Sequence, residues 1–187
     1  MENFNTAQVK VFTETGEYIT LEQWQDYYGL PVGSDKVGHY FSVSGDRRLR
    51  KNLADYGELV ICAPLMKVAD ETRRLWGRPL KLNDFNRTEQ KQQWLIANGF
   101  PAGKNSTHVE KMALDFDTKT NQESLALGKV ILKASCRLGI AIRLGVQKYI
   151  DHPFTLVHLD VAPEYYGVNK PYYHRPHPQA WEKEVRF

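Results

Sequence analysis

His108 and Asp115 stand seven positions apart, and His158 follows Asp115 by forty-three. Two neutral imidazoles and one carboxylate form a donor set that suits zinc. Three protein ligands leave a fourth position for water, which distinguishes a catalytic site from a structural one. His158 lies in Thr155-Leu156-Val157-His158-Leu159-Asp160-Val161, an apolar segment with strand-like alternation. A histidine buried there needs a partner or a metal, because an unpaired buried polar group costs about 1–3 kcal/mol. Asp160, two positions on, points to the same side of a strand. It can orient His158 as an outer acceptor or take a proton from water.

The elements that position these residues are read from periodicity and caps. Lys111 to Thr118 alternates, with Asp115 and Asp117 on one face and Met112, Leu114 and Phe116 on the other. Asp117 reads as a solvated or outer acid. Leu80 to Phe85 alternates like a strand that feeds Arg87, and Ile140 to Val146 like another. Residues 98–105 form a loop that delivers Ser106 and His108. Thr120 to Glu123 reads as a capping box that opens a helix ending at Gly139. Glu89 to Ala97 is a short helix or an ordered loop.

Further upstream, residues 8–19 suggest a hairpin turning near Gly16, and Thr20 caps a short helix that stops at Gly29. Arg47 to Trp76 carries helical spacing (Leu49, Leu53, Tyr56, Val60, Leu65, Val68) with a break expected at Ala63-Pro64. From Pro163 onward the chain is rich in Pro, Tyr and His without periodicity, which predicts coil.

Size and composition narrow the function. At 187 residues the chain is most simply one domain with a real core. Net charge is +3 with both signs scattered, so no nucleic-acid footprint stands out. The densest basic stretch, Asp46 to Lys51, reads as a solvated helix start or as an attraction to an anionic partner such as a cell wall. Cys62 and Cys136 sit in apolar, helical-looking stretches and are expected to be buried free thiols. No apolar run reaches transmembrane length. The first residues lack the basic and apolar regions of a secretory signal, so synthesis in a cytoplasm is expected.

Three motifs in order resemble the D-alanyl-D-alanine carboxypeptidase-like zinc peptidases, the superfamily of phage endolysin peptidases and the hedgehog zinc domain. Their signature Ser-x-His-x-x-Gly-x-Ala-x-Asp is matched by Ser106, His108, Ala113 and Asp115, with Lys111 in place of the Gly. Asn83 to Thr88 is similar to the family's Ser-Gly-Tyr-Arg-Thr segment, with Arg87 and Thr88 in place. Tyr149 followed by Val157-His158-Leu159-Asp160-Val161 resembles its closing strand. Many relatives carry a Glu base three residues before the last His, where this chain has Thr155.

The resemblance spans roughly residues 41–163. It implies an α+β fold, a small antiparallel sheet flanked by helices. Residues 1–40 then form an accessory segment and residues 164–187 a coil tail. His108, Asp115 and His158 are the implied ligands of one Zn²⁺. Arg87 holds the substrate, Asp160 or else His152 serves as base, and Tyr149 stabilises an oxyanion or packs. The implied activity is hydrolysis of an amide bond in peptidoglycan stem peptides, with no nucleic acid and no membrane span involved. A monomer is the simplest expectation. The protein would act on the wall after release or within a virion. The other reading is a binding or virion structural protein that keeps the fold without hydrolysis. His39, His174 and His177 lie outside the motifs and read as solvated loop residues.

Overall fold

The computed structural model describes residues 4–100, 102, 104–148 and 155–166. The first hairpin joins β1 (Val9–Phe12) to β2 (Tyr18–Thr20), antiparallel, with Gly16 at φ 85° in its turn. Helix α1 (Leu21–Tyr28) follows at once. Its start is a full capping box between Thr20 and Gln23, and its end is the left-handed Gly29. The Thr20 cap and the Gly29 stop match the sequence expectation, because caps are local chemistry.

The stretch from Arg47 to Trp76 is two helices with a strand between them. Helix α2 (Arg47–Tyr56) ends at Gly57, β3 is Leu59–Cys62, and α3 (Ala63–Trp76) carries Pro64 in its first turn. The break predicted at Ala63-Pro64 is therefore there, but Leu59 to Cys62 just before it are extended. All four are buried, and β3 runs parallel to β1. A short apolar run buried on both faces shows no alternation, so spacing alone cannot tell it from buried helix.

Val9, Val11, Leu21 and Trp24 share one apolar cluster with β3 and α3, and Trp24 Nε1 donates to the Val37 carbonyl at 3.0 Å. Cys62 is buried and its thiol pKa is pushed up to about 11, first by burial. Cys136, by contrast, is exposed on the helix Asn121–Leu138 rather than buried as its apolar surroundings suggest.

The second sheet is antiparallel and has the order β4 (Leu82–Asp84), β5 (Ala113–Thr118), β7 (Thr155–Asp160), β6 (Arg143–Lys148). Glu89–Ala97 is helical and is α4. One face of the sheet carries Leu114, Phe116, Val157 and Leu159. These join Leu65, Val68 and Ala69 of α3 and Leu127, Ile131 and Ala134 of α5 (Asn121–Leu138) in the core. The α+β class with helices flanking an antiparallel sheet is the one expected.

Smaller differences appear at the helix ends. Thr120 accepts from Glu123 N, but the Glu123 carboxylate accepts from Lys119 N instead of closing the box on Thr120. Strand β6 starts at Arg143, because Ile140 still bonds back to Ser135 at the helix exit. Ala162–Tyr166 forms a short helix, α6, where coil was expected. Its Tyr165 donates to the Thr13 carbonyl at 2.9 Å, which ties the far end of the described fold to the first hairpin. Among the described residues no helix is long and apolar enough to cross a membrane.

Candidate metal centre

The polar face of the antiparallel sheet is set by register. Asp115 lies directly opposite His158, and Ala113 opposite Asp160. Facing residues in an antiparallel pair project to the same side, so the Asp115 carboxylate and the His158 imidazole meet. His158 Nδ1 is 2.8 Å from Asp115 Oδ1, and its Nε2 is 3.2 Å from Asp160 Oδ2.

His108 arrives from the turn before β5. That turn is closed by backbone bonds from Val109 and Glu110 to Ser106, from Lys111 to His108 and from Met112 to Thr107. Lys111 adopts φ 66° there, the left-handed region that costs an L side chain about 1–2 kcal/mol. A glycine would adopt this conformation without that cost. Here Lys111 Nζ donates to the Arg87 carbonyl at 2.9 Å, while Arg87 N donates to the His108 carbonyl. Burial lowers the Lys111 pKa.

The Phe85-Asn86-Arg87 connector is the other wall of the centre. Buried Asn86 pins it, accepting from Val60 N on its side chain and from Asn52 Nδ2 on its carbonyl. His108 Nδ1 is 2.8 Å from the Phe85 carbonyl. A carbonyl can only accept, so Nδ1 carries the hydrogen. Nε2, 3.3 Å from Asp115 Oδ1, is left with the lone pair when the ring is neutral.

The candidate ligand atoms of His108, Asp115 and His158 all lie within 4.8 Å of one another, and all three residues are buried. The donor set fits zinc: two imidazoles, one carboxylate, and an outer acceptor behind each imidazole. Burial alone would raise the pKa of the Asp115 carboxyl, but the charges and hydrogen bonds of His108 and His158 hold it far below the usual range. Burial likewise pushes His158 down, and Asp115 and then Asp160 outweigh this, raising it to about 9.

The remaining sequence candidates fall as follows. Asp160 is buried and accepts from Arg143 Nε and from Ala162 N as well as facing His158. Arg87 bonds Asp84 through Nε and Nη2 and Gln92 through Nη1, and Nη1 is also 3.5 Å from Ser106 Oγ. Asp117 pairs with Lys81 and Asn83, and none of its bonds reaches the histidines. Thr155, at the place of the family's Glu, pairs its hydroxyl with Thr118. His39 is exposed with its ring against Tyr28. Tyr149, His152, His174 and His177 lie outside the described residues.

Sequence reasoning missed Arg143 and the Phe85 carbonyl. An arginine inside the apolar run Ile140 to Val146 was the available signal for the first, and a backbone acceptor leaves no signal. The basic start of α2 lines a separate cleft of about 210 Å³ with Lys81, Asn83 and Asp117, and none of the ligand candidates borders it.

No family model and no curated protein matches the sequence. Among solved structures, the chain is similar to the L-Ala D-Glu endopeptidase ChiX of Serratia marcescens. The TM-score is 0.49 at 16% identity, and the match covers 65% of this chain and 91% of that one.

Proposed function

We propose that the protein is a zinc-dependent peptidase that hydrolyses an amide bond in peptidoglycan stem peptides. The observation that carries the reading is the convergence of His108 Nε2, Asp115 Oδ1 and His158 Nδ1, each imidazole braced from behind. The peptidoglycan substrate class is supported by the three motifs around them. Bound zinc would supply Lewis acidity that polarises a carbonyl and makes water acidic enough to lose a proton near neutral pH.

The chain's own groups do the rest. Phe85 O and Asp160 fix the two imidazoles. Arg87 stands behind the His108 turn. We propose its Nη1, beside Ser106 Oγ, as the donor to a substrate carbonyl; the bonds from Asp84 and Gln92 that hold the guanidinium plane support that role. Asp160 already accepts from Arg143, Ala162 N and His158, and this supports the orienting role over that of a base. His152 is then the remaining base candidate, and Tyr149 the oxyanion donor. The same engagement of Asp160 favours the second reading, a metal-holding wall-binding or virion protein that performs no hydrolysis.

Digestion of purified cell walls, followed by mass spectrometry of the muropeptides, separates the two. New peptide termini that disappear with a chelator and return with zinc are the expected result. Intact muropeptides after treatment with folded, zinc-loaded protein would overturn the hydrolytic reading, and the masses of any products identify the bond cut.

A further inference from the structure

The two imidazoles are braced by unequal means. The acceptor behind His108 is the Phe85 carbonyl, part of a connector that Asn86 fastens to α2 and β3. Backbone held in this way cannot turn. The acceptor behind His158 is the carboxylate of Asp160, a side chain with rotatable bonds. An acceptor of that kind orients a ring only if it is itself oriented.

Strand β6 supplies the restraint. The register sets Arg143 opposite Asp160 and Gly145 opposite His158. Arg143 Nε lies 2.9 Å from Oδ1 and 3.1 Å from Oδ2 of Asp160, and Ala162 N donates to Oδ1 at 3.0 Å. The Asp160 side chain is 1% exposed and that of Arg143 19%. Gly145 places no side chain beside the imidazole from its register position. Donors on Oδ1 and across the carboxylate fix its plane and leave Oδ2 aimed at His158 Nε2. With Nε2 donating to Asp160, Nδ1 is the nitrogen left to lose its hydrogen, now shared with Asp115 at 2.8 Å, when an ion binds.

We infer that Arg143 is a positioning residue for the metal centre. It clamps Asp160, and Asp160 fixes His158 in the Nε2–H tautomer that presents Nδ1 to the ion. The inference rests on the zinc reading above and extends it to a residue outside all three motifs. A buried ion pair that served only the fold would leave metal affinity alone once the protein is folded.

The test measures the zinc dissociation constant of the full chain by competition with a chromophoric chelator. The proteins are the wild type, Arg143→Gln, Arg143→Lys, Asp160→Asn and the Arg143→Gln/Asp160→Asn double variant. Losing an outer-sphere partner should weaken zinc binding by about 10–100-fold in Arg143→Gln and in Asp160→Asn. The double variant should be no weaker than the worse single one, because the two residues act in series. Arg143→Lys, which keeps one charged donor, should recover part of the loss. Nitrogen-15 spectra of the zinc-loaded wild type should show the hydrogen of His158 on Nε2. An Arg143→Gln affinity within about twofold of wild type, or losses that add in the double variant, would overturn the inference. Should Arg143→Gln not fold, Arg143→Lys and its double variant with Asp160→Asn carry the same additivity test. A wild type that takes up no zinc would overturn the metal reading and this inference together. Zinc uptake that the Arg143 variants leave unchanged would overturn this inference alone.

Discussion

The two faces of the antiparallel sheet are buried to nearly the same degree by opposite chemistry. Phe116 and Val157 on one face are fully buried, and Asp115 and His158 on the other are 8% and 1% exposed. The apolar face loses water and gains contact with α3 and α5, at roughly 25 cal/mol per Å² of apolar surface. The polar face loses water from charged groups, which is costly unless each is paired. One strand thus serves two ends through its period of two: Leu114 and Phe116 hold the sheet, and Asp115 between them faces the histidines. Stability and metal chemistry should therefore separate by face.

The sharpest separation is expected at the ligands. His158→Ala should abolish stoichiometric zinc uptake and lower wall hydrolysis by about 10³-fold or more, the scale of several kcal/mol of lost electrostatic stabilisation. Metal analysis and muropeptide release read this together. Retained zinc with lost activity would move His158 out of the ligand set.

The opposite face gives the next effect. Phe116→Ala should cost about 3–5 kcal/mol of unfolding free energy by creating a cavity. At low temperature, where the variant stays folded, its zinc affinity should match the wild type. Denaturant titration and chelator competition check the two halves. A folded variant that has lost zinc would show that the faces are coupled.

The third effect is a pH dependence. His158 is raised from 6.5 to about 9, so zinc must displace a proton below that pH. Zinc affinity should rise by about tenfold per pH unit up to pH 9 and level off above it. In chelator-treated protein the trend reverses. The stabilisation from protonated His158 is complete below pH 6.5 and is lost as pH rises through about 9. Affinity and melting profiles from pH 6 to 10 should therefore slope in opposite directions, and parallel slopes would refute the assignment.

The smallest effect is expected at the edge of the polar face. Lys111→Gly relieves left-handed strain but removes the Nζ bond to the Arg87 carbonyl, and these oppose each other to within about 1 kcal/mol. Its melting curve and zinc affinity should stay close to wild type. A loss beyond about 2 kcal/mol would make the Lys111–Arg87 bond a main support of the His108 turn.

What the sequence reveals follows from how local each determinant is. The α1 caps, the hairpin at Gly16 and the alternation of β5 and β7 depend on neighbours in the chain, and all are legible. The grouping of His108, Asp115 and His158, whose candidate ligand atoms come within 4.8 Å of one another, is legible because their residue types and spacing resemble a zinc-peptidase motif. Strand β3 is hidden because four buried apolar residues between helices carry no period. The partnership of Arg143 with Asp160 is hidden because it depends on the register of β6 against β7. Cys136 misleads because an apolar neighbourhood in sequence does not say which side of α5 faces the core.

The bond from Tyr165 to the Thr13 carbonyl spans 152 residues and has a consequence for synthesis. A ribosome adding about 5–20 residues per second needs on the order of ten seconds to make the donor after the acceptor has emerged. The first hairpin can pair with β3 early, yet Phe12 must wait for the Tyr165 ring that stacks on it at 5.0 Å. During that interval Phe12 packs on Tyr18 of its own hairpin at 5.1 Å, and the ring face that Tyr165 will cover stays open to solvent.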